Sequence, residues 1–277
     1  MPLFGFFDYG KSGKGIAKDA PVKRPFFKFW ELFARKFWKF FYINFIYVLF
    51  CLPVVTFGPA TVAMTQVMRK FTLEQPIFTF DEFWKAFKKN FRQSVGLGIV
   101  NVIFIVSFAY AYTYYDILTM LEPTFFNLAL MSMTIAAGAF VLMMHFYIYP
   151  QIAALTLNLN QIIKNSLLLV VLGIKGSLVT LVFTILILVA LVIFFPFSLF
   201  VLPVLPFAWL NFLMVFNTYP VIQKYIITPF YEAKGEKNPE IPDYSTEEDG
   251  EEALFEDFGG REAAIKSKPK PKGKVIK

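Results

Sequence analysis

Residues 95–115 read VGLGIVNVIFIVSFAYAYTYY, without one Asp, Glu, Lys or Arg. At about 1.5 Å of rise per residue, a helix of this length crosses the roughly 30 Å hydrocarbon core of a bilayer. Working outward, the apolar character does not stop: from Gln93 to Gln223 the only charges are Asp116, Glu122, Lys164 and Lys175. The whole chain of 277 residues is 57% apolar and 17% charged, with a mean hydropathy of +0.55. A soluble domain carries about a quarter charged residues, so the composition excludes one.

Five runs are expected to span: 40–57, 95–115, 125–149, 178–195 and 207–226. The first is interrupted, because Pro53 lacks a helix donor and Gly58-Pro59 follows. Beyond it, 60–68 is short and dotted with Thr61, Thr65 and Gln66, which predicts a broken or re-entrant arm covered by other helices. The fold class is therefore all-α, a polytopic transmembrane helical bundle with cytoplasmic amphipathic helices. Residues 1–24 read as a flexible basic arm, 25–231 as the membrane domain, and 232–277 as a disordered tail, first acidic and then basic.

Charge gives the orientation. Nine Lys or Arg precede Phe40, six lie between Arg69 and Arg92, Lys164 and Lys175 share a later connection, and Lys224 opens the tail, whereas the connections near Asp116 and near Pro196 hold none. The positive-inside rule puts both termini in the cytoplasm if 40–68 goes out and returns. The net charge of +7 thus reads as topology and lipid contact, and nucleic acid is not an expected partner. The N-terminal stretch shows no cleavable signal pattern, so anchoring is expected from the spanning helices alone.

Two amphipathic stretches flank the first hairpin. Before it, Phe26, Trp30, Phe33, Phe37 and Phe41 recur every three to four residues. After it, Thr79 and Glu82 have the spacing of a capping box and Phe78 and Phe83 that of a hydrophobic staple. The helix they start carries Phe80, Phe83, Trp84, Phe87 and Phe91 on one face and Asp81, Glu82, Lys85, Lys88, Lys89 and Arg92 on the others, and is expected along the cytoplasmic interface.

Catalytic patterns are missing from the sequence. Cys51 and His145 are single of their kind, so neither a disulfide, a metal cluster nor a triad can be assembled from Cys and His, and no P-loop or nucleophile motif occurs. No cofactor and no enzymatic activity are expected. Asn44, Asn101, Thr180, Thr184, Asn211 and Asn217 lie inside the spans and need partners there, either as interhelical glue or as the lining of a polar path.

Residues 52–60, LPVVTFGPA, followed by Arg69-Lys70 and by residues 83–94, FWKAFKKNFRQS, resemble the YesL-like family of bacterial membrane proteins. By matching position, Pro53, Thr56, Gly58, Pro59 and Ala60 form the signature break, and Phe83, Trp84, Phe87, Lys88, Asn90 and Phe91 a signature cytoplasmic helix that would serve for docking. The resemblance implies a location in the bacterial cell membrane and no established activity. Its genes often neighbour those of carbohydrate ABC importers, so importer subunits, besides the lipid bilayer, are the expected partners. Two rival readings stand beside this accessory role: a small solute transporter or channel, and a divergent ABC permease-like subunit, although no E-A-A…G loop is found.

Overall fold

The computed structural model describes residues 24–236 and 238–240, which belong to one compact unit. The expected arm at 1–24 and tail at 232–277 lie almost wholly outside the described residues. Those described are helical, with no strand among them. Three helices are long and apolar enough to cross a membrane: Thr79–Leu121, Phe125–Ala154 and Ile174–Ile193.

Helix α1, Pro25–Arg35, opens on a proline, whose missing N–H is no loss in the first turn. It buries Phe29 and Leu32, while Phe26 and Trp30 of the expected stripe are exposed. Because α1 is aromatic on two sides, it is Phe29 that stacks on Phe212, at 5.0 Å, while Phe33, Phe37 and Phe41 of the expected stripe are half-buried.

Helix α2, Phe37–Cys51, stops short of the expected span end at residue 57. Its 15 residues rise only about 22 Å. Pro53 ends the helix, and a 3-10 turn at Val54–Thr56 reverses the chain. The Thr56 hydroxyl meets the carbonyls of Phe50 and Pro53 at 2.5 and 2.6 Å, and the Thr56 N–H also donates to Pro53 O at 3.0 Å, so one residue ties the turn to the end of α2.

Helix α3, Phe57–Thr72, then returns antiparallel to α2, as the pairs Tyr47–Thr61 and Phe40–Phe71 show. Every residue from Gly58 to Arg69 is buried. The short polar arm is thus the centre of this unit. Its hydroxyls are satisfied within the helix, Thr61 donating to Phe57 O and Thr65 to Thr61 O, which lets a polar helix occupy a core.

Helix α4, Thr79–Leu121, joins the expected interfacial helix and the second span into one unbroken helix of 43 residues, about 65 Å. The capping box is not formed. Phe78 is the N-cap, Glu82 instead takes hydrogen bonds from Gln66 and Lys70, and Phe78 is exposed while Phe83 is fully buried, so the staple fails too. Tertiary partners on α3 outcompete the local cap. A box does form where Asn158 starts α6, Leu159–Leu172, with Gln161 Oε1 accepting from Asn158 N–H at 3.1 Å.

Helix α5, Phe125–Ala154, runs back along α4, and α7, Ile174–Ile193, follows α6. A short turn of helix, α8 at Ser198–Val201, leads to α9, Pro206–Ile222. Pro220 removes a donor, and the chain continues through a π turn at Gln223–Ile227 into α10, Thr228–Lys234, which Gly235 ends at φ +70°. The folded unit reaches Glu240, beyond the boundary at residue 231 that composition marks.

Candidate functional site

The two stretches singled out in the sequence pack against each other. Gly58 lies so close to α4 that a Cβ there would stand 2.2 Å from the backbone oxygen of Ser94, and Gly98 is the next neighbour. Small residues at Ser94 and Gly98, one helical turn apart, let the two backbones approach in the way of small-xxx-small contacts. Pro59 and Ala60 are buried beside them. Pro53 is exposed at the turn, and Thr56 is half-buried with its hydroxyl turned to the backbone.

From the other side of the break, the ring of Phe50 sits 5.3 Å from Phe83, 5.7 Å from Trp84 and 5.2 Å from Phe87. Phe83 and Phe87 are therefore core residues, and the Asn90 side chain turns back to Ala86 O at 3.2 Å. What the first part of α4 offers to the outside is different: Lys85, Lys88, Lys89 and Arg92, with Phe91 at their edge. Lys85 pairs with Asp81 at 2.7 Å, and Lys88 Nζ stands 4.6 Å above the Trp84 ring. Of the residues assigned to a docking helix, Lys88 lies fully and Phe91 partly on that outer face, Trp84 is half-buried, and Phe83, Phe87 and Asn90 hold the fold.

Sequence reasoning missed the polar core beneath this face. Gln66 donates to Glu82 at 2.8 Å, and Lys70 pairs with the same carboxylate at 2.9 Å. Burial alone would raise the Glu82 pKa; the hydrogen bonds from Gln66 and Lys70 and the charge of Arg69 outweigh it and hold the carboxyl below its usual range. The only signal in the sequence was the polar dotting of 60–68.

Each Asn singled out within the spans has a partner, although Asn211 Oδ1 is buried with none. Asn44 donates to Leu202 O and accepts from Ala208 N–H, Asn101 meets Tyr149 and His145, Asn211 donates to Thr65, and Asn217 to Thr180. Each ties two helices together. His145 also lies 2.7 Å from Val141 O, so its ring is fixed between α5 and α4. No group of three or more His, Cys, Asp or Glu is placed to hold a metal among the described residues.

Residues 40–112 match the model of a family described as "Protein of unknown function, DUF624". The match covers α2, the break, α3 and α4 through Tyr112. No curated protein and no solved structure matches the chain.

Proposed function

We propose that this membrane protein is a multi-pass accessory component of a carbohydrate ABC importer, without enzymatic activity of its own, in a bacterial cell membrane. In this reading the chain makes five spans with α3 as a covered returning arm, and the positive-inside rule then favours cytoplasmic termini. The burial of α3 among α2, α4, α5 and α9 supports the arm, since irregular or polar segments are tolerated in a bilayer only under protein cover.

The observation that carries the accessory reading is the continuity of α4. The exposed basic face at Lys88, Lys89 and Arg92 and the apolar run after Gln93 belong to one rigid helix, so a partner gripping the face also holds the span. Purification in mild detergent from the native host is expected to bring down importer permease subunits, and a K88E/K89E/R92E variant to lose them while keeping its own yield and helicity. Recovery of the wild-type protein alone, or equal recovery of the permease by the variant, overturns the reading.

A further inference from the structure

Arg69 is the one arginine in α3, and its side chain is only 11% exposed. A guanidinium so far from water needs an anion and filled hydrogen bonds. Gln66 Oε1 takes its Nε–H at 3.1 Å, and Nη1 reaches both the Tyr219 hydroxyl, at 2.9 Å, and a carboxylate oxygen of Glu240, at 2.5 Å. The other Glu240 oxygen accepts from Tyr219 at 2.5 Å and from Gln223 Nε2 at 3.3 Å. Three donors, from α3, α9 and the π turn, thus converge on one carboxylate.

The carboxylate itself arrives from far away in the chain. Glu240 follows Pro239 beyond the end of α10, at the start of the stretch 238–262 with its ten acidic residues. Pro239 and Glu240 close one side of a cavity of about 280 Å³, whose other walls include Leu155, Leu157, Phe230 and Tyr231. Beside them Asn238 Nδ2 is buried with no partner. The protein therefore holds a cradle of preorganised donors at the edge of a largely apolar cavity, with a peripheral segment of its own chain as the occupant.

We propose that Arg69, Tyr219 and Gln223 form an oxyanion-binding site, selective for carboxylate or phosphate, that Glu240 fills in the resting protein and from which an anionic ligand displaces it. The Arg69 charge is the fixed part of the site. Glu82 pairs with Lys70 and acts on Arg69 at longer range and through Gln66, so Glu240 is the carboxylate in direct contact with Arg69 among the described residues. When the 238–240 segment lifts, the cradle must take another oxyanion or leave a buried charge unpaired. The cavity's apolar walls suit an anion with a hydrocarbon portion, as a phospholipid has; a free phosphate would use the polar end alone.

The full-length protein in neutral detergent, melted in chloride and in inorganic phosphate at matched ionic strength, tests this. E240Q leaves Arg69 unpaired: its Tm is expected to fall in chloride and to recover in phosphate, while the wild type, where the anion must first displace Glu240, shows a smaller rise in phosphate. R69Q/E240Q removes both charges, so it is expected to melt closer to wild type in chloride and to ignore phosphate. Nanodiscs of phosphatidylglycerol against phosphatidylcholine separate the sources. Recovery of E240Q, relative to the double variant, by the anionic lipid and not by soluble phosphate identifies a headgroup site, and recovery by phosphate identifies a soluble anion. If E240Q is rescued by neither, or if the double variant responds as E240Q does, there is no such site.

Discussion

Around α3 the helices meet on several sides through backbone, rings and amides, whereas no residue of α4 past Asn101 is buried. The facing part of α5 buries only Asn127 before Met143. Both regions are helical, so helix content does not distinguish them. What differs is the solvent each was made for: protein around α3, and lipid around the α4–α5 hairpin, where Ile103, Val106 and Tyr110 are each more than 60% exposed. In lipid a helix needs only internal backbone hydrogen bonds and an apolar surface, and close packing is optional. Inside the α3 region packing is the structure.

The sharpest way to break the comparison is the same substitution in both regions. A Cβ at Gly58 meets the Ser94 carbonyl oxygen at 2.2 Å, and backbone cannot rotate away. At Gly138 it meets Phe108 Cε2 at 2.3 Å, the far end of a side chain that can. Gly58→Ala is expected to lose about 3 kcal/mol or the folded protein altogether. Gly138→Ala is expected to stay within about 1 kcal/mol, since the better helix propensity of Ala offsets the ring movement. Denaturation in detergent, followed by circular dichroism, checks both; equal losses would mean the hairpin is packed as tightly as the core.

Truncating a large apolar side chain comes next. Phe83→Ala removes a fully buried ring that faces Phe50 and Phe87, and about 3–5 kcal/mol should go with it. Ile103→Ala, on a lipid-facing surface, should change stability by less than about 0.5 kcal/mol. A Phe83 variant as stable as wild type would put that ring back on a docking surface.

How much of this division was legible in the sequence depends on which kind of signal wrote it. Long uncharged runs announce lipid directly, so α4, α5 and α7 were readable from composition, and so was the break at Pro53, because proline and glycine act locally. The α3 centre was only partly readable. Thr61, Thr65 and Gln66 marked the arm as needing cover, but nothing in 60–68 says that the cover comes from α2 and α4 on either side and from α5 and α9, more distant in sequence. The same distance explains the errors. Thr79 and Glu82 have the right local spacing for a cap, and Glu82 went to Gln66 and Lys70. Phe83 and Phe87 share a helical face with Phe91, and only the Phe50 ring decides which of them is inside. Glu240 on Arg69 could not have been read at all, since nothing near either residue names the other.

The joint between the two regions is Asn101, held by Tyr149 at 2.9 Å and by His145. Asn101→Leu should cost about 0.6–2 kcal/mol, the range of interhelical hydrogen bonds in membranes. The loss should fall on the hairpin and leave the α3 region intact. Hydrogen exchange resolved by peptide is the measurement: faster exchange confined to 101–145 fits a joint, and faster exchange across α3 would place Asn101 in the core network instead.

The smallest effect concerns Lys36, between α1 and α2. Its Nζ donates to Phe71 O at 3.0 Å and lies 4.5 Å above the Phe71 ring. Burial, then the charges of Arg35 and Lys39, push its pKa down to about 8, only partly countered by Glu74. The folded state therefore binds a proton less readily than the unfolded chain, whose lysine titrates near 10.5. Below about pH 8 the charged lysine is carried by both states and its burial is a fixed penalty. Between about 8 and 10.5 the unfolded chain holds more protons, so this residue's contribution to stability rises with pH and then levels off. Lys36→Met removes that rise, and the gap between the wild-type and variant Tm should change over this window and stay constant below it. A gap that stays constant from about pH 8 to 10.5 would mean that Lys36 titrates alike in both states, as an ordinary surface lysine does.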